Sequence, residues 1–274
     1  MSDASRWIPV GELAHAFAPD NNAPQPTDDL AGRALDLHLD NGQIVRHRFE
    51  TGNRLSWTIT EGAGQGRGTE EAYTATEVRE GIYFVDFIRH VERATAASLV
   101  LDLSLGIATA MIARLPDESE CTETPAERIA LGKELTAVSA TFSSGAVNTP
   151  FTADVPRHMP TLELVGKRVE YTYSPTERYE HIYLNDDFYT WHCLAGSEKG
   201  LADTDRCHYY KIADNLYLFV WREKIVPTLG AVMVDFDSMR TVGKIFGYQG
   251  ADFGRLSNFP VGARARLLNV TTRD

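Results

Sequence analysis

The second half of this chain repeats the first at a constant offset of 134 residues, with no gap across the best-matched stretch. The offset pairs Gly32 with Gly166, His47 with His181, Trp57 with Trp191 and Tyr83 with Tyr217. Self-similarity at a fixed spacing means that one structural unit is used twice. The two halves can therefore be compared as internal controls. Residues that both halves share are expected to be scaffold, and residues that only one half carries are candidates for chemistry.

Composition narrows the class of protein. The chain has 274 residues, of which 43% are hydrophobic and 24% charged, as in soluble globular proteins. A formal net charge of −11 argues against nucleic acid or an anionic membrane as the main partner. The apolar stretches are too short to span a bilayer, and the N-terminus lacks the apolar core of a signal peptide. Three scattered cysteines suit a reducing compartment, so we expect a cytoplasmic protein.

Hydrophobic periodicity predicts β-structure in both halves. Leu35, Leu37 and Leu39 alternate with polar residues, which is typical of a half-buried strand, and Asn41-Gly42 is a strong hairpin signal. Similar runs recur about every 8–14 residues in each half, which is typical of a meander that closes into a barrel. We predict an all-β protein of two tandem calycin- or lipocalin-like antiparallel β-barrels, with a short N-terminal helix and a mixed linker. The predicted segments are an arm at 1–29 with a helix near Gly11–Phe17, a barrel at 30–115, a linker at 116–160 and a second barrel at 161–274.

Two sequence patterns carry a resemblance to known families. The second half reads G-K-R-V-E-Y-T-Y at Gly166–Tyr173 and L-Y-L-F-V-W-R-E at Leu216–Glu223. This half resembles the phenolic acid decarboxylases, which are small calycin-like barrels. Over nearly its full length the chain resembles the MoaF family, also called molybdenum cofactor biosynthesis protein F. The runs at Trp191–Lys211 and Trp221–Gly230 are distinctive of that two-domain family. The family name records a genetic association with molybdenum metabolism and implies no particular activity.

The decarboxylase resemblance implies a set of catalytic residues. It places two active-site tyrosines at Tyr171 and Tyr173 and the catalytic carboxylate at Glu223. That family also uses an arginine directly after the second glycine of a G-x-x-x-G run. Here the run is Gly196–Gly200, and the next residue is Leu201. The departure puts simple decarboxylation of a cinnamate-type acid in doubt, and Lys199 and Arg206 are the nearby cations that could take the place of the arginine.

The residues themselves support the same three positions. Tyr171 and Tyr173 are two apart on a predicted strand, so both point to one side of the sheet, and Glu223 stands two after Trp221. If that side is the barrel interior, two phenols and a carboxylate converge on one cavity, and burial raises the pKa of the carboxylate toward neutrality. The first half carries Leu37, Leu39 and Arg89 at these places. The alternative is that the tyrosines are aromatic core and Glu223 a surface charge.

A wider set completes the predicted site. The residues expected to contact the substrate are Trp191, Trp221, Tyr183, Lys199, Arg206 and His181, although the match of His181 with His47 favours a scaffold role for that histidine. No metal is expected, because neighbouring residues such as His192 and Cys193 point to opposite faces of a strand and no ligand spacing is present. No cofactor is expected either. The apolar first lumen predicts a first barrel that is closed or serves as a dimer and packing scaffold, and a larger, wetter pocket in the second. Arg89 is the exception to this reasoning, since it could make the first lumen an anion site.

Three functional hypotheses follow. The leading one is a cofactor-independent lyase or isomerase acting on a small phenolic or other hydroxyaromatic compound, by decarboxylation or by side-chain cleavage such as formaldehyde release. The second is a non-catalytic small-molecule binding protein of lipocalin type, linked to molybdenum cofactor or monoamine metabolism. The third is a purely structural tandem barrel. The expected partner is a small aromatic ligand, and a homodimer is expected because symmetric dimers are the commonest assembly.

Overall fold

Eight antiparallel strands close the first barrel. The computed structural model describes residues 6–272. The strands of this barrel pair in chain order, and β8 returns to β1. They are β1 (Ala34–Leu39), β2 (Ile44–Phe49), β3 (Arg54–Glu61), β4 (Gly68–Arg79), β5 (Ile82–Ile88), β6 (Thr95–Asp102), β7 (Ile107–Arg114) and β8 (Ser139–Val147).

The second barrel has the same order of strands. It closes through the pairing of its first strand with its last, and the two-residue strand β9 (Met159–Pro160) lies beside β13. Its strands are β10 (Lys167–Thr172), β11 (Arg178–Tyr183), β12 (Phe188–Ala195), β13 (Ala202–Ala213), β14 (Leu216–Glu223), β15 (Thr228–Asp235), β16 (Arg240–Tyr248) and β17 (Leu256–Val270). The prediction of two tandem antiparallel barrels is confirmed.

The local sequence explains these strands. Burial alternates residue by residue along β1 and β10, as expected where one face of a strand meets a core and the other meets solvent. Gly42 in the first hairpin has a φ of +83°, a conformation that glycine adopts without steric cost. Each barrel therefore has its own interior, and the two core clusters have no residue in common.

The repeat ends before the last strand of each barrel. Strands β1–β7 match β10–β16 in order. Strand β8 comes from the predicted linker, where the sequence pattern indicates an extra strand at Ala137–Phe142, and β17 lies in a stretch for which no strand was predicted. Pro260 and irregular burial hide the period of two along β17. The chain divides into a unit of 24–114 and 140–158 and a unit of 1–23, 115–139 and 159–274. The residues at 116–160 are thus divided between the units, because barrel closure needs an eighth strand.

Two α-helices belong to the unit that holds the second barrel. Helix α1 (Val10–Phe17) forms where the N-terminal amphipathic pattern predicts a helix, and it packs against β16 and β17 of the second barrel, whereas the arm was expected to pack across the first. Helix α2 (Pro125–Ala130) begins with a capping box in which Thr124 and Glu127 satisfy each other's backbone N–H groups. In the segment that follows α2, both carboxylate oxygens of Glu134 accept hydrogen bonds from the Arg222 guanidinium of β14, at 2.6 and 3.1 Å. Among the described residues no helix is long and apolar enough to cross a membrane.

Candidate functional site

The interior of the second barrel is lined by aromatic rings. Tyr171 and Tyr173 both point inward and are almost fully buried, as their spacing predicts. The Tyr171 hydroxyl forms a hydrogen bond of 2.7 Å with that of Tyr183. Burial raises the pKa of both Tyr171 and Tyr173 above the ordinary value for a phenol, because the interior disfavours the phenolate. Both side chains therefore stay protonated near neutral pH and can serve as hydrogen-bond donors.

Glu223 places a carboxyl group at the end of β14. Its Oε1 accepts a hydrogen bond of 2.9 Å from the Trp221 indole, and the side chain lines a small cavity in this barrel. Burial raises the pKa of Glu223 well above its ordinary range, and the nearby carboxyls of Asp205 and Glu198 raise it further. A carboxyl group whose pKa is raised holds its proton to a higher pH than an exposed one and is a stronger base once ionised, so that it can act as a general acid or base.

Two further acidic residues belong to this site, and sequence reasoning missed them. Glu198 accepts a hydrogen bond of 3.1 Å from the Tyr179 hydroxyl, and burial raises the pKa of Glu198 to about 7. Asp205 accepts a hydrogen bond of 3.1 Å from the Trp191 indole, and burial also raises its pKa. Glu198 lies within the G-x-x-x-G run, so the density of charge in that loop was the available signal.

Helix α1 covers the cavity, which has a volume of only about 30 Å³. Leu13 and Phe17 form part of its wall. The Phe17 ring centroid lies 4.9 Å from that of Tyr173 and 5.8 Å from that of Tyr179. An aromatic side chain of the helix thus lies among the rings of the barrel.

His181 also lines this cavity and is surrounded by rings. Its imidazole centroid lies 4.8 Å from Tyr171 and 5.1 Å from Tyr189. Burial lowers the pKa of His181 to about 3, so the ring is neutral near pH 7. A neutral, enclosed imidazole is consistent with the scaffold role that its match with His47 indicates.

The predicted site residues fall into three groups. Five of them line the cavity together, namely Tyr173, Glu223, Trp191, Trp221 and His181. Tyr171 and Tyr183 are buried in the same core but do not line the cavity. Lys199 and Arg206 lie outside the cavity wall: Lys199 is exposed, and Arg206 pairs with Asp187 at 2.9 Å. Neither cation lines the cavity that Glu223 and Tyr173 line.

The prediction that the second barrel holds the larger pocket is wrong. The first barrel contains a cavity of about 420 Å³, against about 30 Å³ in the second. The offset between the halves explains the difference. Leu37, Leu39 and Val45 line the first cavity at the places that Tyr171, Tyr173 and Tyr179 hold in the second barrel. Aromatic rings and Phe17 fill the second interior, whereas smaller aliphatic side chains leave the first one open.

The first cavity also carries polar groups. The Arg89 guanidinium stacks on the Trp57 ring, with Cζ 3.9 Å from the ring centroid, and Nη2 of Arg89 pairs with Glu92 at 2.9 Å. Glu92 also pairs with Arg67 at 3.2 Å. His47 lines the same cavity, and burial lowers its pKa to about 4. The sequence offset pairs Arg89 with Glu223 and leaves open that Arg89 makes the first lumen an anion site, and the structure places Arg89 in the wall of the larger cavity.

Comparison with known proteins gives consistent matches over the two halves. Residues 5–117 match the MoaF N-terminal domain, and residues 158–271 match the MoaF C-terminal domain. Protein MoaF of Klebsiella aerogenes is 44% identical over 276 residues, which is 99% of this chain and 98% of that protein. A solved structure of a putative beta-lactamase from Burkholderia vietnamiensis covers 46% of this chain and 98% of its own, with 14% identity and a TM-score of 0.32. A likeness that weak supports no inference about function.

Proposed function

The chain belongs to the MoaF family, and from the geometry of its second barrel we propose that it is a cofactor-independent acid/base lyase or isomerase. Its substrate is a small phenolic or other hydroxyaromatic compound. The observation that carries the proposal is Glu223: a carboxyl group with a strongly raised pKa, held by Trp221 in an aromatic cavity that Tyr173 also lines. Enclosed acids with perturbed pKa values cluster at sites of chemistry.

The residues divide the chemistry between them. The Tyr173 hydroxyl donates a hydrogen bond to the phenolic oxygen of the substrate. Tyr171 and Tyr183, whose hydroxyls are hydrogen-bonded to each other, lie in the core beside Tyr173. In a decarboxylation, Glu223 gives its proton to the side-chain carbon, and the ring passes through a quinone-methide-like species. The bond to the carboxyl group then breaks, carbon dioxide leaves, and the electron pair restores the aromatic ring. Formation of that species releases the phenol proton to solvent. The phenolate left by loss of carbon dioxide and the ionised Glu223 then each take a proton from solvent, so that one proton is consumed per turnover.

Release of formaldehyde uses the same groups in a different order. The hydroxymethyl group loses its hydroxyl proton to an ionised Glu223, the bond to the side-chain carbon breaks, and formaldehyde leaves. The electron pair stays on that carbon, which takes the proton back from Glu223. One carboxyl group that can both accept and donate a proton thus serves either reaction.

Entry of a substrate requires movement of α1. The cavity of about 30 Å³ cannot hold an aromatic molecule while Phe17 occupies the space beside Tyr173 and Tyr179. The same contacts show that this space accepts an aromatic ring. We therefore propose that the substrate ring takes the position of the Phe17 ring when α1 shifts, as lids do in many enzymes.

Turnover by two variants tests the proposal. Glu223→Gln removes the proton donor, and Tyr173→Phe removes one hydroxyl; we expect kcat to fall by about 100-fold or more for the first and about 10-fold for the second. The matched control is Glu170→Gln, a change of the same kind on β10 at a residue that pairs with Arg266. Turnover of every active hydroxyaromatic substrate at the parent rate by Glu223→Gln and Tyr173→Phe would refute the proposal.

A second candidate function is small-molecule binding without turnover, by a lipocalin-type protein that serves molybdenum cofactor or monoamine metabolism. The cavity of about 420 Å³ in the first barrel favours it, since cavities of about 300–1,000 Å³ are typical ligand sites. A binding protein returns its ligand chemically intact. The homodimer stays a prediction, and a monomeric mass in light scattering at micromolar concentration would contradict it.

A further inference from the structure

Three polar atoms in the wall of the first-barrel cavity have no hydrogen-bond partner. They are the indole Nε1 of Trp57, Nδ1 of His47 and Nε of Arg89. Trp57 is 2% exposed and His47 is 4% exposed, so bulk solvent does not satisfy them. Buried polar groups in folded proteins are almost always paired, and an unpaired set that shares one cavity needs an explanation. A ligand with hydrogen-bonding atoms would satisfy them together.

The charges in this wall favour an anion. The charged residues among those that line the cavity are Arg67, Arg89 and Glu92. Glu92 pairs with both arginines, so two positive charges face one negative charge. His47 adds no charge near neutral pH, because burial lowers its pKa to about 4. Glu71, a carboxylate near Arg89, is bonded to the backbone N–H and the ring of His90 and does not line the cavity. The cavity wall therefore has an excess of positive charge, although the whole chain has a net charge of −11. Such a site selects negatively charged ligands.

The rest of the wall fits an apolar body. Leu37, Val45 and Leu99 are among the aliphatic side chains around the lumen, and small residues at Ala97 and Ala110 leave it wide. Arg89 has its guanidinium plane against Trp57, which holds the cation in one orientation. A volume of about 420 Å³ accommodates one ring with a short side chain.

We propose that the first barrel is a second ligand site, which binds a small organic anion with a ring-sized apolar body. The carboxylate of the ligand accepts from Arg89 and Trp57, and its ring lies against Leu37 and Leu99. This site stands on the first barrel alone and does not depend on the reaction proposed for the second. Arg89 stands where the second barrel has Glu223, and the carboxylate in the wall of the first cavity, Glu92, is paired with both arginines.

Calorimetric titration of the full chain with three probes of one ring tests the charge selection. The probes are phenylacetate, which is an anion, 2-phenylethanol, which is neutral, and 2-phenylethylamine, which is a cation, and none carries the phenol that the second barrel is proposed to bind. We expect the anion to bind roughly tenfold or more tightly than the neutral compound, and the cation to bind weakest. Arg89→Gln should remove that preference, whereas Arg46→Gln, which changes an arginine paired with Asp36 on the outer face of β2, should leave it intact.

Two other variants keep the test decisive. Trp57→Phe removes one N–H and keeps a ring under Arg89, so it should weaken binding of the anion severalfold even if Arg89→Gln fails to fold. Glu223→Gln should not alter binding of the anion, which separates this site from the proposed reaction. Equal affinity for the three probes would overturn the inference. So would anion binding that survives both Arg89→Gln and Trp57→Phe, or that disappears in Glu223→Gln.

Discussion

Glu198 and Glu223 face the same small cavity, and neither has a cation of its own among the contacts described. The Tyr179 hydroxyl holds Glu198, and the Trp221 indole holds Glu223. Neutral donors of this kind leave the cost of burying a charge uncompensated, so both carboxyl groups favour the protonated form. At the scale of single residues, the interior of the second barrel thus favours the protonated forms of Glu198 and Glu223.

This arrangement predicts how stability depends on pH. The folded-state pKa of Glu198 is raised from about 4.5 to about 7, so the folded protein holds a proton that the unfolded chain releases. The contribution of Glu198 to stability is therefore complete below about pH 4.5 and decreases as the pH rises to about 7. We expect Glu198→Gln to be more stable than the parent at pH 8, by on the order of 1–3 kcal/mol, and to have no such advantage at pH 4.5.

Urea unfolding of both proteins at the two pH values measures this difference. The buried histidines His47, His158, His181 and His208, whose pKa values are lowered, destabilise both proteins alike in acid, so their effect cancels in the comparison. Glu170→Gln serves as the control for loss of a carboxylate. A stability difference between Glu198→Gln and the parent that does not change with pH would show that Glu198 is ionised in the folded protein.

The sequence alone predicts part of this site. A spacing of two on a strand is enough to place Tyr171 and Tyr173 on one face, because side chains alternate along β-structure. Glu198 could not be placed in the same way, because it lies in the loop between β12 and β13, whose conformation no periodicity fixes. Lys199 and Arg206 were predicted because they are cations near the missing arginine in the sequence, and nearness in sequence does not say which way a side chain points.

At the scale of elements, α1 closes the second cavity, since Leu13 and Phe17 form part of its wall. Phe17 packs on Tyr173 and Tyr179, and Trp7 lies edge-on to Trp191 at 5.5 Å. If the substrate ring takes the place of Phe17, the free energy needed to displace the Phe17 ring weakens the observed binding free energy of the substrate. In that case α1 lowers the apparent affinity of the site.

Truncation of this ring tests that role. We expect Phe17→Ala to lower KM for a hydroxyaromatic substrate and also to destabilise the fold by up to about 3 kcal/mol, the range seen when a buried ring is removed. Steady-state kinetics and urea unfolding measure the two effects. Phe151→Ala is the matched control, since that ring belongs to the other unit and contacts Arg157. A parent-like KM in a destabilised Phe17→Ala would mean that the helix is scaffold only.

The strands themselves show where sequence patterns are informative. The alternation of Leu35, Leu37 and Leu39 predicts a half-buried strand, and β1 spans these residues with the alternating burial expected. Strand β8 lies among the prolines of a segment that reads as a linker, and β17 lacks a regular alternation. Closure of a barrel is a property of the whole sheet, so the last strand of each barrel is specified by pairing with a strand about one hundred residues earlier in the chain.

At the scale of the whole molecule, one repeated unit has acquired two different interiors. The scaffold positions His47 and His181, and Trp57 and Trp191, remain the same, while Arg89 faces an open cavity and Glu223 a closed one. The repeat was visible in the sequence, but the sizes of the cavities were not. Cavity size depends on how side-chain volumes and α1 fill each lumen, and this was predicted the wrong way round.

The proposed reaction in the second barrel is tested most directly by incubating a hydroxyaromatic compound with the protein in heavy water and identifying the products by mass spectrometry. We predict a product that has lost carbon dioxide or formaldehyde, or an isomer of the starting compound, and that carries one solvent deuterium on carbon. Glu223→Gln should reduce that incorporation, and Arg89→Gln should leave it intact at saturating substrate. A panel of hydroxycinnamates, diaryl phenolics and catecholamines returned intact and without deuterium would contradict the account and favour a binding protein.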